Sequence, residues 1–431
     1  MSKKILEEKK LIKLQKDTFG YFLKETNLEN GLVPDSTKET SPCSITAVGL
    51  ALSSYPVAVE NGLIKRDEAV KRTLTTLKFF WESPQGTGID DIGYKGLFYH
   101  FLNMKTGKRA WKSEVSTIDT TFFLAGALAA GQYFDRDTKK EKEIRTLADA
   151  LYARADWNWM LNGGDLISMG WKPESGFLKY RWEGYSEALL LYVLALASPT
   201  FPVSEKSYAA WTKTYQWKKL YDIEFLYAGP LFIHQLSHVW IDFRGIQDEY
   251  MAKKGIDYFE NSRRATYIQR KYAIRNPKKL KGYNENCWGI TASDGPGPKT
   301  LKIKGKQMNF FDYKARKIPY GPDDGTIAPW AVVASLPFAP EIVLSAIKYI
   351  NDEYPEMTHK YGLKCSFNPT FTGGNQGSNG WVSQGYYGLD QGPIVLMIDN
   401  YRTGFFWRLM RKCSYISAGL RRAGFSGGWL N

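Results

Sequence analysis

Apolar residues recur along this chain at the three-to-four spacing of helices and seldom with the two-residue alternation of strands. Helical stripes run through Leu11–Leu23, Ile45–Val57, Ala69–Trp81, Phe122–Phe134, Ile144–Ala155 and Ala188–Ala197. Others cover Trp211–Tyr221, Leu231–Trp240, Met251–Tyr272, Ile327–Leu336, Ile342–Ile350 and Ile394–Met410. The pattern predicts about twelve helices. Strand-like pieces are short, at Gly96–Phe101, Gly176–Trp182, Cys365–Thr370 and Trp381–Tyr387, and read as hairpins between helices.

The stripes alternate in character. Those near Ile45, Phe122, Ala188, Leu231, Ile327 and Ile394 are apolar or small all round, as in Leu124-Ala-Gly-Ala-Leu-Ala-Ala-Gly131. Those between them carry charge on one face, as in Arg66–Lys78 and Lys139–Arg154. A helix apolar on every side is buried, and an amphipathic one covers it. Six buried helices alternating with six covering ones predict an all-α fold, an (α/α)6 barrel with short β-hairpins decorating one end. No Gly/Ser- or Pro-rich linker divides the chain, so one domain over residues 1–431 is expected, with its core at about 11–411. In such a barrel the inner helices point the same way, so whatever precedes them converges on one cleft.

Polar chemistry does precede them. Glu114-Val-Ser-Thr-Ile-Asp119 opens the Phe122 helix, and Tyr180-Arg-Trp-Glu-Gly-Tyr-Ser-Glu187 opens the Ala188 helix. Asp323-Asp-Gly precedes the Ile327 helix, and Gly385-Tyr-Tyr-Gly-Leu-Asp390-Gln-Gly-Pro precedes the Ile394 helix. Acids are also the ordinary occupants of a first helical turn, where free N–H groups and the dipole favour them. Ser116-x-x-Asp119 even fits a capping box. Caps, however, have no need of Arg181-Trp182 or Tyr386-Tyr387 beside them.

Composition sharpens the reading. Trp (14), Tyr (27) and Phe (23) make up 15% of the chain, many of them in loops beside Gly, Asn and Asp. Flat rings interleaved with polar groups suit sugars, whose apolar faces are edged by hydroxyls. The net charge of +14 is spread from end to end without a nucleic-acid motif, so no nucleic-acid partner is expected. No apolar run is long enough to span a membrane, and the charged start MSKKILEEKK does not resemble a signal peptide. Cys43, Cys287, Cys365 and Cys413 lack C-x-x-C spacing, and His234-Gln-Leu-Ser-His238 lacks the Glu of H-E-x-x-H. No metal or cofactor is expected. Metal-free acid–base chemistry by two carboxyls remains, with Glu187 as the candidate acid and Asp390, in a glycine-rich loop, as the candidate base.

Several segments together resemble the glycoamylase-like family, which includes bacterial endo-β-1,2-glucanases and a domain of cyclic β-1,2-glucan synthases. They are Asp119-Thr-Thr-Phe-Phe-Leu-Ala-Gly, Trp182-Glu-Gly-Tyr-Ser-Glu-Ala, His234-Gln-Leu-Ser-His-Val-Trp-Ile-Asp-Phe-Arg244, Asn284-Glu-Asn-Cys-Trp-Gly-Ile-Thr-Ala-Ser-Asp294 and Gly388-Leu-Asp-Gln-Gly-Pro393. The resemblance implies a cofactor-free (α/α)6 barrel that hydrolyses β-1,2-glucan internally, with anomeric inversion, to sophoro-oligosaccharides. It implies Glu187 as acid, with Ser186 standing where the family usually has Asn, and Asp390 as base. It further implies that Glu114, Asp119, Arg181, Trp182, His238, Asp242, Trp288 and Tyr386 bind the glucan, and that the protein works in the periplasm or outside the cell. Exo-acting release of sophorose, transglycosylation and non-catalytic glycan binding are the alternatives on the same fold.

Overall fold

The computed structural model describes residues 3–373 and 380–431. Helices dominate it. The first half carries α1 (Lys3–Glu25), α2 (Ile45–Glu60), α3 (Arg66–Glu82), α4 (Thr117–Tyr133), α5 (Lys139–Ala153), α6 (Leu189–Ala197) and α7 (Glu205–Thr212). The second carries α8 (Leu236–Trp240), α9 (Glu249–Lys254), α10 (Tyr258–Arg275), α11 (Pro329–Ala334), α12 (Pro340–Glu353), α13 (Gly388–Arg402), α14 (Phe405–Arg411) and α15 (Ser414–Arg422).

The apolar helices form the inside. α2 packs between α4 and α13, α13 also meets α8 and α11, and α4 meets α6. The amphipathic helices cover them: α3 and α5 pair over α2 and α4, α1 lies on α13, α12 on α11, and α15 on α6. Burial of the long apolar faces supplies the main driving force.

The tightest junction is between α2 and α4, and glycine makes it possible. A Cβ on Gly126 would stand 2.1 Å from the Gly49 carbonyl oxygen, and one on Gly49 would stand 2.2 Å from that of Phe122. With hydrogens there instead, the two backbones touch and Thr46 of α2 comes within hydrogen-bond reach of Asp119 on α4.

Three predicted stripes are interrupted. Gly255 and Gly404, both in the left-handed region (φ 70° and 64°), end α9 and separate α13 from α14. Over Leu231–Trp240 the chain forms a 3₁₀ turn at Leu231–His234 and then the short α8. The helix expected over Trp211–Tyr221 is a correction: α7 stops at Thr212, and Trp217–Leu220 pairs with Ile223–Leu226 as a hairpin. Tyr221 and Asp222 at its tip both take positive φ (52° and 65°), the geometry of a type I′ turn, without the Asn-Gly that usually signals one.

Of the remaining short strands, Gly93–Tyr94 with Leu97–Phe98 and Lys299–Ile303 with Lys306–Phe310 form hairpins. Others join distant segments, as Cys43–Ser44 does with Phe101–Leu102 and Val115–Ser116 with Gly170 and Trp171. All four cysteines are buried and free.

Candidate active site

A cleft of about 680 Å³ opens where loops precede α2, α4, α6 and α13. Its size falls within the range of small-molecule sites. Its acids are Asp35, Glu39, Asp119, Glu187, Asp294 and Asp312, with Lys38 and His100 as the cationic groups among them. Phe101, Trp111, Phe122, Phe232, Tyr313, Trp330 and Tyr387 supply the rings. Trp111 is 68% exposed and leans on Phe101, with ring centroids 5.0 Å apart.

Glu187 lies in the turn just before α6, two residues ahead of Leu189, where the segment expected to open this helix places it. The start of α6 has no cap of its own; Ser237 serves it, its Oγ accepting from Leu190 N–H (3.1 Å) and donating to the Glu187 carbonyl (3.0 Å). That anchors Glu187's backbone while its carboxyl faces the cleft. Burial pushes the carboxyl up to about 7, opposed by its own backbone N–H and assisted by the negative charge of Asp119.

Asp119 is both a helix-start residue and a member of the site. Its N–H donates to Ser116 Oγ (3.2 Å), the N-cap half of the expected capping box, and Ser116 Oγ donates back to Asp119 Oδ2 (2.5 Å) where the box would have used the Ser116 N–H. Thr46 Oγ1 donates to the other oxygen (2.6 Å), and His100 Nε2 lies 3.4 Å from it.

His100 spans two acids, with Nδ1 3.3 Å from Glu114 and Nε2 facing Asp119. Burial disfavours the imidazolium, but Asp119, Glu114 and Asp35 outweigh it and raise the ring to about 9. Ligand atoms of His100, Glu114 and Asp119 lie within 4.8 Å of one another, which makes this trio a candidate metal centre. The imidazole, however, turns a different nitrogen to each carboxylate. One ion can take only one of them, so the arrangement fits a charged ring between two carboxylates better than a chelate.

Asp390 stands in the first turn of α13 and is only 1% exposed, below the cleft and not in its lining. The open loop expected around it is closed. Burial drives its carboxyl well above the usual carboxylate range, against a hydrogen bond with Cys365, and Asp35 and Asp294 push it the same way. Its Oδ2 has no hydrogen-bond partner among the described residues.

The other expected glucan-binding residues divide. Asp119 lines the cleft, and Glu114 touches it through His100. Trp182 is buried, its Nε1 donating to Thr117 Oγ1 (2.9 Å). Arg181 is directed at the carbonyls of Leu161 (3.2 Å) and Leu166 (3.4 Å). His238 is enclosed against Ser262 (2.9 Å) and Phe243, and burial lowers it to about 3. Asp242 follows α8 and is paired with Arg244 (2.7 Å) and Arg411. Trp288 is fully buried, and Tyr386 packs edge-on against Tyr361. None of these last six belongs to the cleft lining; the contacts they make are with the core and with neighbouring loops.

Sequence reasoning missed Asp35, Lys38, His100, Trp111 and Tyr313 as site residues, and gave Asp294 no role. Asp35 had a usable signal. It lies in the loop before α2, the same position relative to an inner helix that drew notice to Asp119 and Glu187.

A mostly helical protein whose apolar inner helices present an acid-lined, aromatic-rimmed cleft is the class defined by this fold and site. The chain belongs to the Glycoamylase family, whose model, described as "Putative glucoamylase", matches residues 179–414. A crystal structure of a putative glucoamylase from Bacteroides uniformis is 33% identical, with 98% of this chain and 99% of that one covered at a TM-score of 0.86. The endo-β-1,2-glucanase of Chitinophaga pinensis, in complex with sophorotriose and glucose, is 26% identical over 98% of this chain and 99% of its own, at a TM-score of 0.85. An exo β-1,2-glucooligosaccharide sophorohydrolase of Parabacteroides distasonis is 26% identical over 96% of this chain. This chain spans 58% of the length of that relative.

Proposed function

We propose that this chain is a glycoside hydrolase of β-1,2-linked glucan, cutting within the polymer and inverting the anomeric centre, with Glu187 as the general acid. The observation that carries the reading is the state of Glu187. In a cleft lined by acids and aromatic rings, burial holds this carboxyl protonated up to about 7 while acids tied to donors stand beside it. A protonated carboxyl next to ionised ones is what cleavage of a glycosidic bond requires: one group to give a proton to the departing oxygen, another to take one from water. The alternation of buried and covering helices supports reading the whole as an (α/α)6 barrel.

The end-to-end likeness to the Chitinophaga endo-β-1,2-glucanase supports internal cleavage. The likeness to the Parabacteroides sophorohydrolase favours a second reading, release of sophorose from a chain end. Incubation with linear β-1,2-glucan, beside β-1,3-, β-1,4- and α-1,4-glucans, tests both. A ladder of sophoro-oligosaccharides appearing early from the first polymer alone is expected. Sophorose as the sole early product establishes the second reading, and no product from β-1,2-glucan removes the substrate assignment.

A further inference from the structure

The hydrolase reading needs a second carboxylate that touches water in the cleft, and Asp390, sealed beneath it, does not. Among the cleft acids, Asp119 is occupied by Thr46, Ser116 and His100. Asp294 accepts from Ser383 (2.9 Å) and pairs with Lys38 (2.9 Å) at the same oxygen. Glu39 and Asp312 are exposed to solvent, whereas Asp35 is partly buried, and it differs from Asp119 and Asp294 as well. It lines the cleft, and no hydrogen bond from another group of the described residues reaches its carboxyl. Its backbone is nevertheless fixed: its N–H donates to Pro42 O (2.7 Å), its carbonyl accepts from Gly388 N–H (2.9 Å), and the flanking Ser36 bridges to Tyr387. A carboxylate of the cleft lining that is held by its backbone and meets no donor among the described residues is placed to bind a water.

We propose that Asp35, in the loop between α1 and α2, is the catalytic base of this site and that Asp390 is a positioning residue beneath it. This rests on the hydrolase reading above. In the step, a water oxygen bonds to the anomeric carbon as the bond from that carbon to the glycosidic oxygen breaks. Glu187 gives its proton to the departing oxygen, and Asp35 takes one from the attacking water. Both groups then exchange protons with solvent. The surroundings of Asp35 suit the task. Burial raises it to about 6, His100 and Lys38 work against the rise, and Asp119 adds to it. Asp390 lies close enough to raise its own affinity for a proton through Asp35 and Asp294. Sealed beneath the lining, it can orient the floor but does not meet water in the cleft.

The test is chemical rescue. Asp35→Ala should lose about 100-fold or more in turnover of β-1,2-glucan, the scale of a missing general base. Added azide, an anion that needs no base, should restore turnover and give the α-glycosyl azide, since it attacks from the water's side while Glu187 still protonates the leaving oxygen. Asp390→Ala should show no azide product. Asp35→Asn, close in shape, should be equally inactive with wild-type melting, which guards against misfolding as the cause. An Asp35→Ala protein that keeps its turnover, or that melts normally yet gives no azide product, overturns the assignment, as does azide rescue of Asp390→Ala. A wild type that cleaves no β-1,2-glucan in the same assay overturns the hydrolase reading itself, and the base assignment falls with it.

Discussion

The Nε2 of His100 lies 3.4 Å from Oδ1 of Asp119, and the opposite side of the ring faces Glu114. The ring also stacks on Phe101, with centroids 3.8 Å apart at 16°. An imidazole so placed carries a fixed positive charge into a cleft otherwise rich in acids. Because its folded pKa rises from 6.5 to about 9, its stabilising contribution is full below 6.5 and is lost as pH climbs through about 9. His100→Asn should therefore remove, on the order of 1–2 kcal/mol after solvent screening, the difference in urea stability between pH 6 and pH 10. A variant whose stability falls with pH as steeply as the wild type's would sever His100 from this role.

Glu187→Gln separates function from stability. The amide keeps the shape but has no acidic proton, so turnover should drop by about 100- to 10,000-fold while the Kd for a sophoro-oligosaccharide stays near its wild-type value. A carboxyl raised from 4.5 to about 7 binds its proton more tightly in the folded state, so ionisation destabilises the fold as pH rises through that window. At pH 8 the Gln variant should melt above the wild type, and near pH 4 the two should coincide. Thermal melts at both values decide it.

With Glu187 needed protonated and Asp35 ionised, kcat/KM should be a narrow bell, falling below about 6 and above about 7. Around Asp35 stand His100, Lys38, Asp119 and, from below, Asp390, together with Tyr21, Cys43, Tyr313 and Tyr387, whose own ionisation its charge opposes. Loss of the His100 cation removes a force that keeps Asp35 ionised, so the acid limb should move to higher pH in His100→Asn. An acid limb that stays in place would assign that limb to another group.

The inner helices were legible because apolar-all-round segments leave little choice of environment. Glu187 and Asp119 were legible because polar residues before such helices must meet. The misreadings share one cause, which is that a motif names residues but does not say which way they point. His238 and Asp242 sit in a conspicuous segment, yet Ser262 encloses the first and two arginines neutralise the second. Asp390 looked open because glycines surround it, but those glycines permit close packing: a Cβ on Gly388 would meet Ala47, and one on Gly392 would meet Leu50. Lys38 and Trp111 come from long loops without periodicity, where sequence carries almost no spatial information.

Trp111 should act on binding alone. It is largely exposed at the cleft rim, its backbone is in the left-handed region (φ 54°), and its ring leans on Phe101. Trp111→Ala should leave melting unchanged. It should raise KM for longer β-1,2-gluco-oligosaccharides by about 3- to 10-fold, the value of one aromatic platform, with kcat nearly constant. A fall in kcat at unchanged KM would place Trp111 in the chemistry.

Arg316 tests how the cleft edge is held. It is fully buried with Asp324, its Nε 2.7 Å from Oδ1 and its Nη2 2.8 Å from Oδ2. The same guanidinium donates to the carbonyls of Ser293 (2.8 Å), Phe311 (3.0 Å) and Asp312 (3.2 Å). It thus ties the segment carrying Asp294 to the one carrying Tyr313, and both line the cleft. Arg316→Met would leave the Asp324 carboxylate buried without its counter-ion, an imbalance worth about 3–5 kcal/mol. Asp324 is held below its usual range by Arg316, so in the wild type this support is lost only as pH falls through that depressed value. The variant should unfold at markedly lower urea than the wild type at pH 7. The double substitution Arg316→Met with Asp324→Leu should recover much of the loss, because no unpaired charge remains. Recovery of stability without recovery of turnover would show that the carbonyl anchoring matters to the cleft in its own right. A single variant as stable as the wild type would mean that water reaches Asp324 and that the pair holds nothing in place.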